Sequence, residues 1–119
     1  MIEAKLPSES FIVPPQGTIP VHLEWKYSRK KHVSFDVTLL WFTHGKGIPE
    51  RGIVANQSFS TQKPEGNRQF YFEAPSVPQS FQGVLFSVKW AIEIRSTFDE
   101  FLRLELDISP YSTPATTVF

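Results

Sequence analysis

Three histidines are the residues best suited to ligating a metal ion, and they lie at His22, His32 and His44. Their spacing matches neither the HxH nor the HxxxH pattern, so a metal site would require three separate segments to converge. The sequence has no cysteine, which excludes thiolate ligands and a cysteine nucleophile. A Ser–His–Asp triad forms only in space, but no segment resembles a nucleophile elbow. We therefore predict no metal, no cofactor and no catalytic activity.

Two basic segments could bind an anion. The tripeptide Gly45-Lys46-Gly47 resembles part of a phosphate-binding loop, but the full GxxxxGKS or GxxxxGKT pattern is absent and no helical pattern follows. We interpret the tripeptide as a tight turn with glycine at positive φ, and a small-ligand site near Gly45–Gly47 is the alternative. The cluster Arg29, Lys30 and Lys31 could contact anionic headgroups or an acidic partner loop, whereas its simpler interpretation is a solvated hairpin tip.

Length, charge and hydropathy restrict the class of protein. A chain of 119 residues is long enough for about one domain. Its 12 Lys and Arg residues balance 12 Asp and Glu residues, so it lacks the basic excess expected of a nucleic-acid binder. Neither a signal peptide nor a bilayer-spanning apolar run is visible, which predicts a cytoplasmic protein without a transmembrane segment. A slight basic excess in the first half and an acidic excess in the second could favour head-to-tail association, so a homo-oligomer is an open alternative.

The positions of apolar residues predict β-structure. From Ile19 to Tyr27, apolar side chains occupy the odd positions and polar ones mostly the even positions, as in a strand with one buried face. Val33–Thr43 follows the same pattern, but Leu40 and Phe42 make its second face apolar at the far end. We therefore predict a central strand whose far end is covered on both sides. Further strands are predicted at Ser10–Val13, Ile53–Thr61, Arg68–Ala74, Phe86–Arg95 and Leu102–Ile108.

This series of short strands predicts an all-β sandwich of the immunoglobulin-like or arrestin-like kind, with about seven to eight antiparallel strands. The predicted domain covers residues 1–109, and residues 110–119, rich in Ser, Thr and Pro, are predicted to form a mobile tail. Opposite charges on the solvated faces of the last two strands are placed to pair across a hairpin. The large apolar side chains expected to form the core are Trp25, Trp41, Trp90, Phe35, Leu104 and Leu106.

The apolar pair Leu40 and Phe42 is the candidate contact surface for a protein partner. Exposed contiguous apolar patches on monomers usually mark contacts, so something must cover these side chains. The cover could be the segment Ile48–Ile53, the C-terminal tail, or another protein that docks beside the strand or adds to a free sheet edge. The sequence does not decide between them.

Two segments resemble sequences of the arrestin-like family. Phe72–Pro75 looks like the strand end before a proline in that family, and Pro78–Gly83 is similar to its P-x-S-F/Y-x-G crossover. A long strand, here through Trp90, then follows, and Gly17–Trp25 is similar to an early strand of the family. The resemblance implies a non-catalytic adaptor or scaffold that binds protein partners. Typical arrestins have two sandwiches and this chain has room for one, so no functional residue is transferred. The alternative is a structural subunit that assembles through its sheet edges.

Overall fold

The computed structural model describes residues 1–28, 32–83, 86–110 and 115–117. These residues form ten β-strands and no helix. In chain order the strands are β1 (Ile2–Lys5), β2 (Ile12–Val13), β3 (Thr18–Lys26), β4 (Val33–Gly45), β5 (Arg51–Thr61), β6 (Glu65–Glu73), β7 (Phe81–Gly83), β8 (Phe86–Ser96), β9 (Phe101–Ile108) and β10 (Ala115–Thr117).

The smaller sheet has the order β1-β3-β6, and both pairings are antiparallel. Strand β3 lies in the middle because its alternation supplies a continuous inner face, whose members are Ile19, Val21, Leu23 and Trp25, all buried. Strand β1 pairs only as far along β3 as His22. Pro20 therefore has a strand neighbour on one side only, which reduces the cost of its missing N–H.

The larger sheet has β4 at its centre, as predicted, between β5 and β8 and antiparallel to both. The second edge of β8 is shared by β9, which forms the predicted hairpin with it, and by β7. Two pairings are parallel, those of β2 with β9 and of β10 with β7. The segment between β6 and β7 passes from one sheet to the other, in agreement with the predicted crossover.

The core lies between the two sheets. Of the six predicted core residues, Trp25, Phe35, Trp90 and Leu106 are buried, and the other two are partly buried and packed against the core. Trp25 joins the sheets, because its ring centroid lies 5.3 Å from that of Phe35 on β4 and 5.7 Å from that of Phe59 on β5. Gly66, opposite Trp25 in register, makes room for it, since a Cβ there would lie 2.6 Å from Cζ2 of the indole.

Three short strands were not predicted, namely β1, β7 and β10. They are too short to display a period-two pattern, and they form because neighbouring strands offer free edges. Strand β10 lies beyond the predicted domain boundary at residue 109, and Ala115–Thr117 pairs with β7 at the edge of the larger sheet. The remaining tail residues, apart from Pro110, lie outside the described ranges.

Side chains close the gap between the sheets where β5 and β6 form neighbouring edges. Gln57 on β5 donates a hydrogen bond from Nε2 to the Tyr71 carbonyl oxygen on β6 at 2.7 Å. The Arg68 guanidinium lies 4.2 Å from the Phe59 ring centroid and 5.4 Å from that of Phe70. These contacts link the two edges and occupy a backbone acceptor on β6.

A polar cluster holds the first residue against the β8–β9 turn. Glu100 accepts hydrogen bonds from the Tyr27 hydroxyl at 2.6 Å and the Ser96 hydroxyl at 3.0 Å. The Met1 ammonium lies 3.2 Å from Glu100 Oε2 and donates to the Lys26 carbonyl oxygen at 3.0 Å. Partial burial alone would raise the pKa of Glu100, but the hydrogen bonds and the ammonium charge outweigh it and lower that pKa. Burial and the adjacent carboxylate raise the pKa of Tyr27.

We expect Glu100→Gln to lower the free energy of unfolding by about 1–3 kcal/mol near neutral pH, because hydrogen bonds to a charged acceptor are lost. Because the pKa of Glu100 is lowered in the native state, its carboxylate stabilises the fold at pH values above its ordinary pKa near 4.5. This contribution is lost as the pH falls through the native-state pKa. Denaturant unfolding at a series of pH values should therefore show the two proteins converging in acid. Glu105→Gln, at an exposed carboxylate on β9, is the control and should change stability by less than about 0.5 kcal/mol. A constant difference down to pH 2 would contradict the role of the Glu100 charge.

Candidate interaction surface

The pair Leu40 and Phe42 lies on the outer face of the larger sheet, away from the main core. Leu40 is opposite Ala91 on β8 and Ile53 on β5. Leu40 and Ala91 have no exposed surface, whereas Phe42 is partly exposed. The prediction that the far end of β4 is covered on both sides therefore holds for Leu40 but not for Phe42. A partner could reach Phe42 directly, but Leu40 only if the side chains above it moved.

The cover over Leu40 is a charged cluster on the same sheet. Arg51 Nη2 lies 2.9 Å from Glu93 Oε1, and Arg103 Nε lies 3.8 Å from Glu93 Oε2. The Arg103 guanidinium also stacks 3.9 Å from the Phe42 ring centroid. In register, Arg51 is beside Phe42 and Arg103 is beside Glu93, so both arginines extend diagonally across the row of Leu40. Their aliphatic stems can shield apolar surface while the charged groups pair with Glu93.

The prediction that Glu93 lies on a solvated strand face is wrong. The side chain is only 8% exposed, because the two arginines close over it. The predicted charge pairing across the β8–β9 hairpin is present in the Glu93–Arg103 pair and in Lys89–Glu105, whose charged atoms are 3.9 Å apart. No buried side-chain polar atom of the described residues lacks a hydrogen-bond partner, so the cluster is electrostatically satisfied.

The loop that joins β4 to β5 has the tight-turn geometry predicted for the glycine tripeptide. Gly45 and Gly47 adopt φ values of 136° and 103°, which are open to glycine and strained for other residues. A shallow concavity of about 450 Å³ lies here and is lined only by the consecutive residues Thr43–Glu50. No second element contributes a polar group to it. A small-ligand site near Gly45–Gly47 therefore stays a prediction, without a convergent set of residues behind it.

Exposed aliphatic side chains are concentrated on the β4–β5 hairpin. Ile48 at the tip is 89% exposed, and Ile53 and Val54 on β5 are 66% and 44% exposed. Val54 is the extra residue where the pairing register of β4 and β5 shifts, and a bulge of this kind changes the direction of nearby side chains. We define the hairpin surface as Phe42, Ile48, Ile53 and Val54. The alternation of apolar residues in the sequence identified Phe42 as a candidate contact residue. The exposure of Ile48, Ile53 and Val54 depends on the turn and the bulge, which the alternation does not show.

The other candidate residues do not converge on this surface. Arg29, Lys30 and Lys31 lie outside the described residues. His22, on the smaller sheet, lies 3.1 Å from Gln69 Oε1 through Nδ1 and 3.1 Å from Glu24 Oε1 through Nε2.

His32 and His44 are exposed. Among the residues with described positions, no three His, Asp or Glu side chains are grouped as a metal site would require. Within the same part of the chain, no helix is long and apolar enough to cross a membrane.

No protein-family model and no curated protein matches the sequence. The fold is similar to that of Spo0M, a sporulation control protein from Bacillus subtilis, with a TM-score of 0.56 and 13% identity over 92% of this chain and 49% of that one. It is also similar to part of a β-glucosidase from Listeria innocua, solved in complex with gluconolactone, with a TM-score of 0.50 and 15% identity over 95% of this chain and 16% of that one. This chain thus spans about half of the first protein and a small part of the second.

At such low identities the similarity concerns the fold alone. Together with the two packed sheets, it defines the class of protein: an all-β sandwich of the immunoglobulin-like or arrestin-like kind. A fold of this class supports many functions, so the function must be argued from the surface.

Proposed function

We propose that the chain is a non-catalytic protein-interaction module of arrestin-like type, which binds a protein partner through the hairpin surface. The observation that supports this most is the exposure of Ile48, Ile53 and Val54 on one hairpin beside partly exposed Phe42. Several exposed aliphatic side chains on one hairpin, next to charged residues, are typical of a protein contact site. The adjacent Arg51 and Arg103 would supply those charges.

A protein partner suits this surface better than a small substrate does. The concavity beside the hairpin is lined only by Thr43–Glu50, whereas small-molecule sites are usually enclosed by several elements and bury most of the ligand. The resemblance of Phe72–Pro75 and Pro78–Gly83 to segments of the arrestin-like family also favours an adaptor. A cytoplasmic location and the absence of catalysis are part of the proposal and stay predictions.

Replacing Ile48 and Ile53 together with aspartate should abolish partner binding without unfolding the protein, because both side chains are largely exposed in the free chain. Affinity capture from the native host, quantified by mass spectrometry, would compare wild-type and variant baits. The matched control is Val77→Asp, which places the same charge at an aliphatic side chain 76% exposed in the crossover between β6 and β7. Proteins retained by the wild type and the control but lost from the double variant are the expected partners. Equal capture by all three baits would contradict the proposed surface.

A further inference from the structure

Strand β5 forms an edge of the larger sheet. It pairs with β4 along its length, and no strand of the described chain pairs with its other edge. The direction of its backbone groups follows from two hydrogen bonds of β4. The Ser34 carbonyl accepts from Thr97 N at 3.1 Å on the β8 side, and Thr43 N donates to the Glu50 carbonyl at 2.9 Å on the β5 side. Even-numbered residues of β4 therefore direct their backbone groups towards β8 and odd-numbered ones towards β5.

The same alternation applies to β5 through its register with β4. Ser60 is opposite Ser34, Ser58 is opposite Asp36 and Asn56 is opposite Thr38. Because these β4 residues direct their backbone groups away from β5, the pairs are not hydrogen-bonded ones. The N–H and C=O groups of Asn56, Ser58 and Ser60 accordingly point outwards from the edge.

Beyond the bulge at Val54, this edge lacks the usual protection against strand pairing. From Ala55 to Gln62 there is no charged residue and no proline, the residue types that normally block addition to an edge strand. On the outer face, lateral hydrogen bonds to β4 hold the side chains of Asn56 at 2.7 Å, Ser58 at 2.6 Å and Ser60 at 2.7 Å. These bonds direct the three side chains towards β4, while the backbone N–H and C=O groups of the same residues point away from it.

Two other strand edges are better protected. On β6, the Tyr71 carbonyl oxygen already accepts a hydrogen bond from Gln57. The strand also has charged residues at Glu65, Arg68 and Glu73. Strand β1 has only four residues, of which Glu3 and Lys5 are charged. Among these three strands, β5 therefore has the longest uncharged edge.

We infer that two copies of the chain pair through β5, antiparallel about a two-fold axis near Ser58. A second copy is the occupant that fits, because a two-fold contact places the same strand opposite itself, and an uncharged strand tolerates this without like-charge repulsion. With the axis at Ser58, the outward backbone groups of Ser58 face those of its counterpart, and Asn56 faces Ser60 in both directions. The two larger sheets then form one continuous sheet. This inference is independent of the partner proposed for the hairpin surface.

The backbone test is Ser58→Pro, which removes one outward N–H that the isolated fold does not use. Size-exclusion chromatography with light scattering should give twice the 13.6 kDa chain mass for the wild type and the single-chain mass for the variant. Ser58→Ala is the matched control, because it also loses the hydrogen bond to Asp36 but keeps the N–H, and it should remain dimeric. Circular dichroism checks that each variant is folded.

A charge test covers the case in which the proline variant does not fold. Ser58→Lys and Ser58→Glu should each be monomeric alone, because the axis brings like charges together, and their mixture should recover the dimer mass. A monomeric wild type at every concentration, or a folded Ser58→Pro variant that remains dimeric, would overturn the inference. So would a mixture of the two charge variants that stays monomeric. Ile48→Asp, which changes the hairpin surface in the loop before β5, should stay dimeric, and this separates failure of this contact from failure of the hairpin surface.

Discussion

Replacing Trp90 with alanine is expected to lower the free energy of unfolding by about 3–5 kcal/mol, as large-to-small changes at buried aromatic residues do. Trp90 has no exposed surface, and it lies on β8 opposite Trp41 on one side and Leu106 on the other. Its indole Nε1 also donates a hydrogen bond to the Pro78 carbonyl oxygen at 2.9 Å, which ties the crossover to the core. Since domains of this size have a total stability of about 5–15 kcal/mol, the variant should be close to unfolding.

Thermal unfolding followed by circular dichroism would measure this effect, with an expected decrease in Tm of about 12 °C or more. Trp90→Phe separates the two contributions, because it keeps most of the apolar contact and loses the bond to Pro78. Tyr71→Ala is the control, since that aromatic side chain is 60% exposed, and it should cost far less. An unchanged Tm for Trp90→Ala would show that β8 directs a different face towards the core.

Replacing Leu40 with alanine should lower the free energy of unfolding by about 2–5 kcal/mol, although the residue lies on the outer face of the larger sheet. Leu40 has no exposed surface, because the arginines that pair with Glu93 extend across its row. Removing its side chain leaves a cavity beneath charged groups that cannot collapse into it without breaking their pairing.

Ile53→Ala provides a matched comparison because Ile53 is opposite Leu40 in the same row and 66% exposed. Denaturant unfolding should show a change of less than about 0.5 kcal/mol for this variant. Similar stabilities for Leu40→Ala and Ile53→Ala would mean that the outer-face cluster opens in solution. In that case Leu40 would again be a candidate partner contact, together with Phe42.

Much of the fold could be predicted from the sequence because period-two alternation is a local property. Strands β3, β4, β8 and β9 are long enough to show it, and the polar turns between them restrict where each strand ends. The same pattern places Trp25, Phe35 and Trp90 in the core. The second apolar face at Leu40 and Phe42 was also visible in the sequence, and so was the need for a cover.

Only the tertiary structure shows what covers the outer face of β4 at Leu40 and which apolar side chains of the hairpin surface remain exposed. Glu93 has the sequence position of a solvated residue, but it is buried because Arg51 and Arg103 approach it from strands on opposite sides. The short strand β1 forms on the free edge of β3, and the cluster of Met1 with Glu100 joins residues that are 99 positions apart in the chain. These features depend on which strands become neighbours, and a one-dimensional pattern records only the direction of each side chain from its own strand.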